Sequence, residues 1–314
     1  MRAPSKLPVS LRSTPFAVGA EGAAGAKGTA AAESVTRGRA RAADLITPFR
    51  GVRDHARSRD QKVLARAFAP LLEPDQVFSH LTAAALHGMR TPERHPPPVV
   101  HVTTFGGRRP IRRAGVSAHR GGDGCGHVAV RGLPVLDPVE TWLHLASSLE
   151  LDDLIVMGDG LVRRKAPVTT LAGLGAALDA HRRLVGGPLL REALEWVRAG
   201  TDSARETMLR LLLVRAGLPE PDELNGEIRN EYGAVIAHGD LVWREARVIV
   251  EYEGDQHRAD PRQFAIDIDR VGAVQSLGWT VIRVDAALFA RRNILIPRLR
   301  TALMHAPPPR SPSP

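Results

Sequence analysis

The run Val248-Ile249-Val250-Glu251-Tyr252-Glu253-Gly254 constrains this chain more than any other stretch. Three consecutive β-branched apolar residues read as a strand covered on both sides, and the glycine marks its end. Two glutamates then stand at alternate positions, so both point to one face of the sheet. Like charges gathered on a strand destabilise it, and strand propensity does not ask for them. The preceding segment, His238-Gly239-Asp240-Leu241-Val242-Trp243, pairs with this run as a hairpin if the loop is Arg244 to Arg247. That register sets Trp243 against Val248 and Asp240 against Glu251, which adds a third carboxylate to the same face. A hard divalent cation, Mg2+ or Mn2+, held by Asp240 and Glu251 would resolve the repulsion. The competing expectation is that arginines satisfy these acids one by one, which would leave a folded binding protein.

The flanking elements follow from caps and periods. Ser203 with Glu206 three residues later forms a capping box and opens a helix that stops at Gly217. Glu206 therefore has a structural role besides any support of metal or water. A strand is expected near Asn225–Asn230. Asp260-Pro261 opens a helix whose Phe264, Ile268, Val271 and Val274 recur at helical spacing up to Gly278. A strand from Trp279 to Val284 and a last helix from Ala290 to Leu303 complete the order α-β-β-β-α-β-α. His257 lies just past the acidic strand, where an imidazole can exchange a proton near neutrality. Arg270, one turn from Asp267, reads as half of a solvated pair, or as a contact to the acids or to a DNA backbone.

These residues carry a resemblance. VIVEYEGDQHRADPRQFAIDIDRVGAVQSLGWTVIRV (248–284), with GDLVW (239–243) and SARETMLRLLLVRAGLPEP (203–221), resembles an actinobacterial endonuclease-like family related to very-short-patch-repair endonucleases, within the PD-(D/E)XK superfamily. The resemblance implies a restriction-endonuclease-like mixed sheet flanked by helices over 201–304. It also implies Mg2+-dependent hydrolysis of DNA phosphodiesters, in DNA repair or phage defence. Matched to the motif, Asp240 and Glu251 are metal-binding acids and Glu206 is the acid of the first helix. Glu253 stands where the superfamily usually has lysine, and His257 is the natural substitute for that lysine. The alternative is a non-catalytic DNA-binding regulator on a degenerate nuclease fold.

Charge divides the chain. Residues 45–165 carry 17 basic and 12 acidic side chains, whereas 201–314 carry 15 and 16, so the positive surplus belongs to the front. Lys6, Lys27, Lys62 and Lys165 are the only lysines, so the surplus is arginine, whose planar fork suits phosphate. The front segment is expected to be an α+β domain, with a helix over 78–88 and a strand over 97–105. Arg108, Arg109, Arg112 and Arg113 then crowd a hairpin or loop tip, where they are candidates for DNA backbone contact. With GLPVLDPVETWLHLA (132–146), this segment resembles abortive-infection-type antitoxin regulators. That resemblance implies either DNA or a toxin-like protein as partner, although Glu140 stands where the pattern favours arginine. His119, Cys125 and His127 lack a fourth ligand and read as incidental.

Residues 1–44 and 305–314 have too few large apolar residues to repay ordering and read as tails, and 166–200 reads as a helical connector. A single cysteine excludes an internal disulfide, and no apolar run is long enough to span a bilayer. A cytoplasmic protein with no membrane partner is expected, and no feature of the sequence sets an oligomeric state.

Overall fold

The protein, seen as a computed structural model, is described over residues 15–17, 43–54, 60–91, 99–122, 125–181, 184–254 and 270–305. It is an α/β protein with two mixed sheets, each in its own compact unit. The first unit takes the described residues up to Leu154 together with Ala176–Arg191, and the second takes Ile155–Gly175 and everything from Glu192. The expected connector 166–200 is thus divided between them.

In the first unit, β1 (Phe16–Ala17) pairs antiparallel with β2 (Val52–Arg53). Helix α1 (Gln61–Phe68) starts where Asp60 accepts the Lys62 and Val63 N–H groups. There follow β3 (Gln76–Phe78), α2 (His80–His87), β4 (Val100–Thr104), β5 (Val116–Arg120), β6 (His127–Val130), β7 (Leu133–Leu136) and α3 (Pro138–Leu145). The sheet order is β5-β4-β3-β7-β6, with β4–β5 and β3–β7 parallel and the other pairs antiparallel. Because β4 and β5 are parallel, the arginine-rich segment between them is a crossover loop, the second of the two forms expected, and not a hairpin. Phe68 packs edge-on between Phe49 and Phe78 in a core that also buries Val77, Val100, Val102 and Val135.

Helices α4 (Leu151–Leu161), α5 (Leu171–Ala180) and α6 (Gly187–Trp196) each have residues in both units. The second unit continues with α7 (Ala204–Arg215), β8 (Glu223–Arg229), β9 (Val235–Trp243), β10 (Val248–Tyr252), helical residues 270–276, β11 (Thr280–Val284), α8 (Ala286–Ala290) and α9 (Arg292–Met304). Its sheet runs β11-β10-β9-β8, antiparallel except for β10–β11. The expected final helix is preceded by a separate short one, because Asp285 caps α8 through the Leu288 N–H.

Side-chain alternation divides β10 between two cores. Val248 and Val250 face Leu209, Leu213, Leu295 and Leu299 of α7 and α9, whereas Ile249 packs with Ile228, Val242 and Val274. Burial on both faces explains the unbroken apolar run. The second unit also holds a fully buried ion pair, Arg210 Nη2 to Asp159 Oδ2 at 3.0 Å. Thr207 Oγ1 and the Arg198 N–H also donate to Asp159, which supplies the hydrogen bonds a buried charge needs. No helix among the described residues is long and apolar enough to cross a membrane.

Candidate active site

The hairpin has the expected register, Trp243 opposite Val248 and Leu241 opposite Val250. One residue further a side chain replaces the ladder: Asp240 Oδ2 accepts the Tyr252 N–H at 2.7 Å. Strand β10 meanwhile stays with β11, and the Glu253 N–H donates to Val284 O. The carboxylate thus marks the point where β9 and β10 part. Burial pushes the Asp240 carboxyl up to about 7, with Glu206 and Glu251 adding to the rise and the Tyr252 N–H and Arg270 opposing it.

Glu206, buried at the start of α7, behaves as the capping box predicts, with one shift. Ser203 Oγ accepts the Glu206 N–H, but the Glu206 carboxylate reaches the Asp202 N–H at 2.8 Å, one residue before the cap. Its Oε2 also accepts from Asn225 Nδ2 at 2.8 Å. Asn225 adopts φ 51°, a left-handed conformation that asparagine tolerates, and its amide also donates to Gly200 O.

The strand glutamates are held by arginines. Arg270 donates to both oxygens of Glu251, at 2.8 and 3.1 Å, and Arg283 lies 2.8 Å from Glu253 and 3.8 Å from Glu251. Arg283 stands opposite Glu251 in the parallel register, which is why it reaches both acids. Of the roles expected for Arg270, contact with the acids is the one seen: its guanidinium is engaged by Glu251 of the acidic strand. His257, with Gln256 and Asp267, lies outside the described residues.

The donor set fits a hard divalent ion in part. Asp240 and Glu206 supply carboxylate oxygens with no arginine ion-paired to them among the described residues. Glu251 does not fit as it stands, because Arg270 occupies both its oxygens. Among the described residues, groups of three donors with all ligand atoms within 4.8 Å occur in the first unit and not at these acids.

On the crossover loop, Arg109 and Arg112 are exposed, Arg108 lies 3.4 Å from Asp75 Oδ2, and Arg113 donates to Arg50 O. His119, Cys125 and His127 do not come together as one site, but two of them have other neighbours. His119 belongs to a stack with His80 and His101, and Cys125 lies with Glu140 and His144. His127 belongs to neither group and packs near Phe105. The local signal for the second group was Glu140 and His144 at i,i+4 spacing, which puts both on one helix face.

The geometry defines an α/β protein with an acidic fork in one mixed sheet and an imidazole-rich cluster in the unit of the other. No family model matches the chain, and no solved structure matches it. It is similar to two proteins of Mycobacterium tuberculosis, Uncharacterized protein MT2308 of strain CDC 1551 / Oshkosh and Uncharacterized protein Rv2248 of strain H37Rv. Each is 28% identical over 204 residues, which cover 65% of this chain and 72% of the relative.

Proposed function

We propose that the second unit is a PD-(D/E)XK-type nuclease module acting on DNA phosphodiesters, with the arginine-rich first unit contributing backbone contacts. The observation that carries this reading is convergence. Glu206, Asp240 and Glu251 come from a helix and two strands to the place where β9 and β10 part, and Asp240 is left without an arginine ion pair among the described residues. Sites that gather buried carboxyls at a cost to stability are functional candidates. Asp240 and Glu206 would hold Mg2+ or Mn2+, with Glu251 joining once it leaves Arg270. When bound, the ion would supply a water of lowered pKa and offset charge developing on the scissile phosphate. Arg270 and Arg283 restrain Glu251 and Glu253, and Arg270 becomes a phosphate-binding fork once released. His257 would exchange the proton.

Incubating the purified chain with Mg2+ or Mn2+ and plasmid, mismatched or branched DNA tests this reading. Cleavage is expected, and Asp240→Asn should abolish it; cleavage that survives the substitution places the chemistry elsewhere. A second reading, an antitoxin-like DNA-binding regulator on a nuclease scaffold, is favoured by the Arg270–Glu251 and Arg283–Glu253 pairs. It predicts a gel shift that weakens steeply with salt, together with no heat of Mg2+ binding in the wild type.

A further inference from the structure

The first unit gathers seven titratable side chains that the nuclease reading does not use. Helix α3, capped by Asp137 through the Val139 N–H, presents Glu140 and His144 on one face. Cys125 Sγ lies 3.8 Å from His144 Nε2. Glu140 Oε2 lies 3.9 Å from His144 Nε2 and 3.3 Å from His181 Nε2, just beyond the end of α5. A tetrahedral zinc ion, with bonds of about 2.0–2.3 Å, holds its ligand atoms about 3.3–3.8 Å apart. The Cys125–His144 and Glu140–His144 spacings lie within a few tenths of an ångström of that cage, and the ligand atoms of Cys125, Glu140 and His144 all lie within 4.8 Å of one another.

Charge and satisfaction point the same way. Glu140 Oε2 is buried without a hydrogen bond, an unfavourable state for a carboxyl oxygen. Burial raises the Glu140 carboxyl, burial and Glu140 raise the Cys125 thiol, and burial with His181 beside it lowers His144. A cation among the three would offset the cost of ionising the thiol and the carboxyl, and would take His144 in its neutral form.

The adjacent stack offers a poorer cage. His80, His101 and His119 lie with ring planes 12° to 21° apart, and the His80 and His119 centroids are 3.6 Å apart. Imidazole lone pairs lie in the ring plane, so stacked rings direct them side by side rather than toward one point. His101 Nδ1 and His119 Nε2 are already 3.0 Å apart, the spacing of a shared proton. His80 turns its edge to His144, so the stack forms a wall beside the cage.

We propose that the first unit binds one zinc-class divalent ion through Cys125 Sγ, Glu140 Oε2 and His144 Nε2, with His181 Nε2 beside Glu140 Oε2 as an outer partner. Thiolate and imidazole donors select zinc over magnesium. Three protein ligands leave the fourth position to a water, and the ion ties Cys125 to α3.

Chelator-treated full-length chain titrated with Co2+ and then Zn2+ tests the site. One Co2+ per chain is expected, giving thiolate-to-cobalt absorption in the near ultraviolet and tetrahedral bands in the visible, all bleached by Zn2+. Cys125→Ser should remove the near-ultraviolet absorption and weaken binding at least about tenfold. His119→Asn should leave both unchanged, and far-ultraviolet circular dichroism checks that each variant folds. Zn2+ should raise the melting temperature of the wild type and leave that of His144→Ala unmoved. No binding, binding without the thiolate absorption, or loss of binding in His119→Asn with retention in Cys125→Ser would overturn the proposal.

Discussion

The two polar clusters handle buried ionisable groups by opposite means. At the fork, charge is kept and opposed by charge: Arg270 holds Glu251, Arg283 holds Glu253, and Asp240 carries the uncompensated remainder. In the first unit the imidazoles are held neutral. Burial and the neighbouring histidines lower His80 to about 2, burial and His119 lower His101 to about 4, and burial and His144 lower His119 to about 4. An arginine-held carboxylate is already satisfied, whereas a raised carboxyl is relieved by a proton or a cation, and a buried neutral imidazole resists a proton but keeps a lone pair free for a metal. The contrast locates reactivity at Asp240 in one unit and around His144 in the other.

The contrast is sharpest against pH in chelator-treated protein. For the three stacked histidines the folded-state values lie below the ordinary 6.5, so the unfolded chain binds more protons between pH 6.5 and about 4. The first unit therefore loses stability on acidification, on the order of 5 kcal/mol after discounting partial exposure. For Asp240 the folded value, about 7, lies above the ordinary 3.8, so the folded chain binds more protons in that window and the second unit gains as pH falls. Hydrogen exchange read separately for each unit, corrected for the intrinsic rate, checks the opposition. Equal signs in both units would break it. The next largest effect is Asp240→Asn, which should stabilise the second unit at pH 8 by up to about 4 kcal/mol and do nothing at pH 4. Urea unfolding at the two pH values measures both.

The contrast was half legible beforehand, for physical reasons. Caps, the hairpin and the acid alternation are local signals, so the elements and the meeting of Asp240 with Glu251 could be read directly from residues 203–253. The arginines could not, because Arg283 reaches Glu251 through a parallel pairing that no nearby pattern announces. The imidazole cluster was hidden for a similar reason. Its members come from α2, β4, β5 and α3, from Cys125, and from His181 beyond α5, and parallel pairing of β4 with β5 sets His101 opposite Ser117, beside His119. His80 adds backbone strain that no propensity foresees, at φ 47°, which costs roughly 1–2 kcal/mol. Glu140 departs from the arginine expected by family resemblance, and it falls at the centre of the proposed cage.

Smaller effects sharpen the comparison at its charged end. Glu251→Gln leaves Arg270 and Arg283 with a neutral acceptor and should cost about 2 kcal/mol, read as a shift in the urea midpoint at unchanged slope. Removing Arg270 instead leaves Glu251 with only the more distant Arg283, so Arg270→Ala should tighten Mg2+ binding if the guanidinium competes with the ion, and leave it absent if the fork is only a scaffold. The smallest change in stability belongs to the crossover loop. Arg109 and Arg112 are exposed there, so the double change to alanine should move stability by less than about 0.5 kcal/mol. Each phosphate contact releases a counterion, so the same double variant should lower the slope of log affinity for duplex DNA against log salt by about 1.8. An unchanged slope would remove these arginines from any DNA contact. It would also leave the first unit defined by its imidazole and thiol cluster rather than by its charge.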